Sequence, residues 1–136
     1  MSLVLDCSVA LAWQFPDEQT PAVMALLKYV AEEGAVAPSL WRFEVANGLH
    51  TAMRRGRIDG VGRDQALDDL ADLEVNIDEA CDTQVWTTTV RLAELYTLTV
   101  YDASYLELAQ RARLPLATLD TALATAARLA GVEVRP

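Results

Sequence analysis

A chain of 136 residues with 52% hydrophobic content has the length of one domain and is too apolar to be disordered. Its net charge of −9 argues against a protein that holds nucleic acid by bulk positive charge, but not against a metal-dependent nuclease, in which ions face the phosphate and acids hold the ions. No apolar run approaches the length of a membrane span and there is no basic leader with a cleavage site, so a cytoplasmic location is expected.

The chain opens on Leu3-Val4-Leu5-Asp6-Cys7-Ser8, a short apolar run ending in an acid. Such a run reads as a strand buried on both faces, with Asp6 at its carboxyl end. Val9 to Trp13 suggests a short helical piece, broken at Phe15-Pro16-Asp17-Glu18. Thr20 caps the next helix with Pro21 at its first position, Val23, Leu26, Leu27 and Val30 form its apolar stripe, and Gly34 ends it. Ala35 to Ala37 is a plausible second strand, stopped by Pro38, and Ser39 is a candidate cap for a helix over Leu40 to Arg55. On that helix Phe43, Ala46, Leu49 and Met53, with Val45 beside them, read as the apolar side. Glu44, Asn47 and Thr51 share another side, and Arg54-Arg55-Gly56-Arg57 closes the helix with positive charge.

Asp64 to Leu73 is a further predicted helix, with Ala66, Leu67, Leu70 and Leu73 inward, and Leu73 to Ile77 alternates like a strand. Gln84 to Leu98 is helical in period, with Val85, Thr88, Leu92 and Leu95 recurring. Asp102 opens a helix that holds Leu106, Leu108 and Ala109 inside. Pro115 to Leu119 is a second apolar strand running into an acid, Asp120, before a helix over Thr121 to Ala130. Gly131 caps that helix and Val132 to Val134 is the terminal strand. Strands alternating with helices imply parallel pairing with helices on both faces, within one compact domain spanning residues 1–136. Cys7 and Cys81 fit no metal-binding spacing, and Cys7 reads as a reduced, buried thiol.

Four acids stand out. Asp6 and Asp120 end strands, Asp102 begins a helix, and Glu44 interrupts the largely apolar Trp41–Leu49 stretch. Taken singly, Asp6, Asp102 and Asp120 read as helix caps and Glu44 as an exposed helix acid. Together at the carboxyl edge of a sheet they would repel one another, by roughly 3 kcal/mol for a pair about 5 Å apart at an effective dielectric near 20. A cation among them removes that cost. Hard oxygen ligands without His or Cys partners select Mg²⁺ or Mn²⁺ over Zn²⁺. His50 is the only histidine, so chemistry that needs a histidine pair is not available.

Four segments in order resemble those of PIN-domain ribonucleases of the VapC type, the toxins of bacterial toxin–antitoxin pairs. They are Val4–Val9, Phe43–Leu49, Thr99–Ala109, and Leu116–Asp120 with Ala126-Ala127 and Gly131-Val132 behind it. The resemblance covers essentially the whole chain. It implies a three-layer α/β/α sandwich with a mainly parallel central sheet, and metal-binding acids at Asp6, Glu44, Asp102 and Asp120. Ser8 matches the family's hydroxyl near the metal, Asn47 its Asn three residues after the Glu, and Thr118 is placed to support the site. Cys7 is a mild departure from the small or β-branched residue expected there.

The implied activity is Mg²⁺-dependent (or Mn²⁺-dependent) hydrolysis of RNA, leaving a 5′-phosphate and a 3′-hydroxyl, with water activated by metal rather than a protein nucleophile. Two divalent ions would bring the charge from −9 to −5. Arg54, Arg55 and Arg57 are candidates for contact with the RNA backbone, or simply complement the helix end. A separately encoded antitoxin and a homodimer are the expected partners, with Trp13, Phe15, Trp41 and the Val23/Leu26/Leu27/Val30 stripe as the expected docking surface. Two alternatives are a catalytically silent PIN-like adaptor for RNA or protein, and a phosphoryl-accepting receiver domain. The receiver needs an adjacent acidic pair after the first strand and a lysine near the last, whereas Asp6 is followed by Cys7 and the only lysine is Lys28.

Overall fold

The computed structural model describes residues 1–136. Its centre is β1 (Val4–Leu5), flanked by β2 (Ala35–Pro38) and β4 (Leu116–Ala117), with β3 (Val75–Asp78) and β5 (Val134–Arg135) at the edges. All pairings are parallel, in the order β3-β2-β1-β4-β5. Val4 lies opposite Val36 on one side and Leu116 on the other. Leu3, Val4 and Leu5 are wholly buried, as a central parallel strand covered on both faces requires. The chain builds β1, β2 and β3 outward in one direction and β4 and β5 in the other. The carboxyl ends of β1 and β4 therefore meet at the topological switch point, where open α/β sheets receive ligands. This order differs from the 2-1-3-4-5 order of receiver domains, so the receiver alternative falls.

Eight helices cover the sheet: α1 (Cys7–Ala12), α2 (Pro21–Glu33), α3 (Leu40–Arg54), α4 (Gly60–Ala71), α5 (Ala80–Gln84), α6 (Val90–Tyr96), α7 (Val100–Ala112) and α8 (Thr121–Leu129). The sandwich and its parallel sheet are those expected. Thr20 caps α2 by accepting from the Val23 amide, and Gly34, at φ 76°, ends it in a conformation that suits glycine. In α7 every residue from Ala103 to Ala109 is buried, so this helix is packed on all sides rather than along one stripe. Its one buried charge, Glu107, is paired with Arg111 at 2.6 Å, and Arg111 also reaches Asp78 at the end of β3 at 3.2 Å. That network ties the central helix to the edge strand.

Several local expectations are corrected. The buried side of α3 is Trp41, Val45, Leu49 and Ala52, while Phe43 is 79% exposed and Ala46 also faces water. Apolar residues lie on more than one face of this helix, and its packing on α1 selects which face turns in. Ser39 does not cap α3; its hydroxyl donates to Asp82. Pro38 does not stop β2 but pairs with Asp78 on β3. The fourth helix starts at Gly60, behind an Asp59 cap, because Asp59 accepts from the Gly62 amide and offsets the poor propensity of two glycines. The predicted helix from Gln84 is instead α5, a π-turn over Val85–Thr89, and α6. The extra residue in the π-turn shifts the buried face to Thr89 and Ala93 and leaves Leu95 exposed.

Trp13, Phe15 and Trp41 are buried, as are Val23, Leu26 and Val30. They belong to the core and do not supply the docking surface expected of them. Trp13 Nε1 donates to the Val23 carbonyl at 2.9 Å, which fastens α2 over the end of α1.

Gly48 leaves room on α3 for the Leu11 side chain of α1. A Cβ at this position would meet Leu11 Cδ1 at 2.5 Å. Gly48→Val should overpack this contact at a cost of about 1–3 kcal/mol. A drop of several degrees in Tm is the expected result, and an unchanged Tm would show that the Leu11 side chain yields without loss.

Candidate metal centre

Each of the four acids reaches the carboxyl edge of the sheet from a different element. Asp6 follows β1, Asp120 follows β4 by three residues, Glu44 lies in the second turn of α3 and Asp102 in the first turn of α7. Asp6 is 3% exposed, and the other three are half-buried. Asp6, Glu44 and the intervening Cys7 present donor atoms that all lie within 4.8 Å of one another.

Asp6 is held by hydroxyls. Its Oδ2 accepts from Ser8 Oγ at 2.6 Å and from Thr118 Oγ1 at 2.7 Å. Ser8 Oγ in turn accepts from the Leu119 amide at 2.9 Å, and Thr118 Oγ1 from the Asp120 amide at 3.0 Å. A hydroxyl has one proton, so with a backbone N–H on the oxygen that proton is left for the carboxylate. The loop that carries Asp120 is thereby joined to Asp6. The cap reading of Asp120 also holds, since its Oδ1 accepts from the Leu123 amide at 2.8 Å. Asp102 is not a cap: Thr99 caps α7 by accepting from the Asp102 amide at 3.0 Å, and Asp102 stands inside the first turn. Asp6 likewise makes no side-chain cap of α1.

Glu44 Oε1 accepts from the Tyr105 hydroxyl at 2.5 Å. Tyr105 is wholly buried in α7, so the bond fastens α3 to α7 directly beside the acids. Nothing in the sequence marks Tyr105 as part of the site. It lies in a run of apolar residues and reads as core, which it also is. The signal available was its place three residues after Asp102, on the same side of the helix.

The electrostatics show the acids acting on one another. Burial raises the Glu44 carboxyl above the ordinary range, opposed by the Tyr105 hydrogen bond and reinforced by the charges of Asp6 and Asp102. Burial likewise raises Asp102, reinforced by Asp120 and Asp6. Burial and the charges of Asp6 and Glu44 keep the Cys7 thiol protonated, so it is a neutral neighbour rather than a thiolate. None of the four acids takes part in a salt bridge. An all-oxygen donor set with no neutralising arginine or lysine fits a hard divalent cation such as Mg²⁺.

The remaining candidates make no side-chain hydrogen bond to the four acids. Asn47 is exposed one turn along α3 from Glu44. Arg54 and Arg55 are exposed at the end of α3, where they and Thr51 line a shallow depression. Arg57 is engaged already, with Asp17 at 2.6 Å, Glu18 at 2.8 Å and the Phe15 ring at 3.9 Å.

A parallel α/β sandwich with an acid group at its switch point defines the class, and the comparisons name the family. The family model described as PIN domain matches residues 3–129, and the chain belongs to the PIN domain family. Among solved structures it is similar to PAE2754 from Pyrobaculum aerophilum, at 24% identity and a TM-score of 0.71, over 98% of this chain and 89% of that one. It is also similar to FitAcB from Neisseria gonorrhoeae, at 19% identity and a TM-score of 0.67, over 100% of this chain and 97% of that one. At these identities the likeness is one of fold. No curated protein is similar enough to the chain to count as a relative.

A raised carboxyl pKa means that the metal-free fold prefers the protonated acid. The stability this gives is full below the ordinary Glu range and is lost as the pH rises through the raised value. Glu44→Gln removes the charge and keeps the acceptor for Tyr105. The metal-free variant should therefore be the more stable protein at neutral pH, by roughly 0.5–1 kcal/mol after screening by solvent, or about 2–4 °C in Tm. The difference should vanish near about pH 4. Thermal unfolding in EDTA across this range is the measurement; a pH-independent difference would mean that shape, not charge, decides it.

Proposed function

We propose that this chain is an Mg²⁺-dependent endoribonuclease, a toxin of the VapC type held in check by a separately encoded antitoxin. The observation that carries the reading is the group of four acids at the switch point, which no basic side chain neutralises. Membership of the PIN family, whose domains are generally metal-dependent nucleases, points the same way.

In this reading Asp6, Glu44, Asp102 and Asp120 hold one or two Mg²⁺ ions, with Mn²⁺ able to take their place. The metal supplies Lewis acidity toward the phosphate and lowers the pKa of the attacking water, giving 5′-phosphate and 3′-hydroxyl ends. The protein's own part is positional. Ser8 and Thr118 hold the Asp6 carboxylate, and both are set as donors by the backbone amides of Leu119 and Asp120. Tyr105 holds Glu44, and the buried wall behind it keeps water from the inner side of the site.

RNA approaches along α3. Glu44, Asn47, Thr51 and Arg54 recur at helical spacing on one side, and ten residues of helix separate Glu44 from Arg54 by about 15 Å. Arg54 and Arg55 then contact backbone phosphates a few nucleotides from the cut. Arg57 holds surface ion pairs with Asp17 and Glu18, which an RNA phosphate would have to replace before Arg57 joined them. A homodimer and the antitoxin complete the reading. Exposed Trp86 and Leu95 supply apolar surface for such contacts in place of the aromatics expected from the sequence. No helix is long and apolar enough to cross a membrane.

Asp6→Asn should abolish Mg²⁺-dependent cleavage of RNA while the far-UV circular dichroism is kept, and EDTA should do the same to the wild type. Cleavage by Asp6→Asn at the wild-type rate would refute the assignment. Wild-type protein that binds RNA without cutting it in Mg²⁺ or Mn²⁺ would favour the adaptor reading.

A further inference from the structure

Three of the four acids meet the site with one oxygen already engaged. Asp6 Oδ2 takes the Ser8 and Thr118 hydroxyls, Glu44 Oε1 takes the Tyr105 hydroxyl, and Asp120 Oδ1 takes the Leu123 amide. Asp6 Oδ1, Glu44 Oε2 and Asp120 Oδ2 remain. The Cys7 thiol, the other polar neighbour of Asp6 and Glu44, is a weak donor. The engaged oxygens are not free to turn. Each of the two hydroxyls on Asp6 is oriented by a backbone amide, and Tyr105 is wholly buried and cannot rotate into water.

A carboxylate oxygen has two lone pairs, so Asp6 Oδ2, with two hydroxyl donors, has none left for a cation, whereas Glu44 Oε1 and Asp120 Oδ1, with one donor each, keep one. Mg²⁺ takes six ligands in near-ideal octahedral geometry, mostly single oxygens and water. Ca²⁺ takes six to eight ligands at longer distance and makes regular use of bidentate carboxylates. We propose that Ser8 and Thr118 are specificity-determining residues of the metal centre: by filling both lone pairs of Asp6 Oδ2 they leave Asp6 single-toothed and turn the site against Ca²⁺. This rests on the metal-centre reading proposed above and adds to it the device that selects the ion. The two residues come from the start of α1 and from just past the end of β4, so ion choice is written into the packing of the fold and not into the acids alone.

The test is thermal unfolding of the full chain titrated separately with MgCl₂, MnCl₂ and CaCl₂, which yields an apparent Kd for each ion independently of catalysis. Wild type should bind Mg²⁺ and Mn²⁺ in preference to Ca²⁺. Ser8→Ala, at a half-buried site, removes one charge-assisted bond and frees a lone pair of Asp6 Oδ2, and the Ca²⁺ to Mg²⁺ affinity ratio should rise about tenfold. Thr118→Val, which keeps the shape, should move the ratio the same way, and Ser8→Thr, which restores a hydroxyl, should return it. An unchanged ratio in both Ser8→Ala and Thr118→Val, with Mg²⁺ still bound, would overturn the proposal and leave the metal centre standing. A wild type that gains no stability from any of the three ions would overturn both.

Discussion

The structure depends on four like charges gathered against a dry wall. Asp6 ends a strand whose side chains have no contact with water, Glu44 and Asp102 stand within its field, and Asp120 adds its own charge to that felt by Asp102. Left alone, such a group lowers the stability of the fold that contains it. The protein does not relieve it with an arginine or lysine. It relieves it in part with neutral donors: two hydroxyls on Asp6, a phenol on Glu44 and a backbone amide on Asp120. Neutral donors steady an anion without cancelling it, so the attraction for a cation is preserved.

The rest of the architecture holds that arrangement rigid. Parallel pairing of β1 with β4 brings Asp6 and Thr118 side by side, although 112 positions separate them in the chain. Gly48 gives the Leu11 side chain of α1 its place against α3, the helix that carries Glu44. The burial of Ala103–Ala109 in α7 fixes Tyr105 and the preceding turn with Asp102, and the Glu107–Arg111–Asp78 network anchors that helix to the far edge of the sheet. A site that costs stability is therefore surrounded by elements with little freedom to relax.

Much of this was legible in the residues. Leu3 to Leu5 followed by Asp6, and Leu116-Ala117 a few residues before Asp120, are short apolar runs of strand length, as parallel strands covered on both faces require. The four segments bearing Asp6, Glu44, Asp102 and Asp120 resemble the PIN pattern in order and spacing, and the family match over residues 3–129 takes in all four acids. The misreadings have local causes. On α3 the choice between Phe43 and Trp41 as the inward residue depends on a neighbouring helix that the periodicity does not contain. At Val85–Thr89 a single added residue in the turn breaks the period on which the reading relied.

The sequence by itself determined which residues could form a hard-oxygen site and on which elements they ride, because strand ends and helix starts are set by local patterns of apolar residues, caps and prolines. Only the tertiary structure decided how those oxygens are used. Tyr105 reads as a core aromatic until α3 and α7 are packed together, and Ser8 and Thr118 become donors to one oxygen of Asp6 only when β1 pairs with β4. Hydrogen-bond direction is a property of neighbours distant in the chain, and no spacing along the sequence carries it.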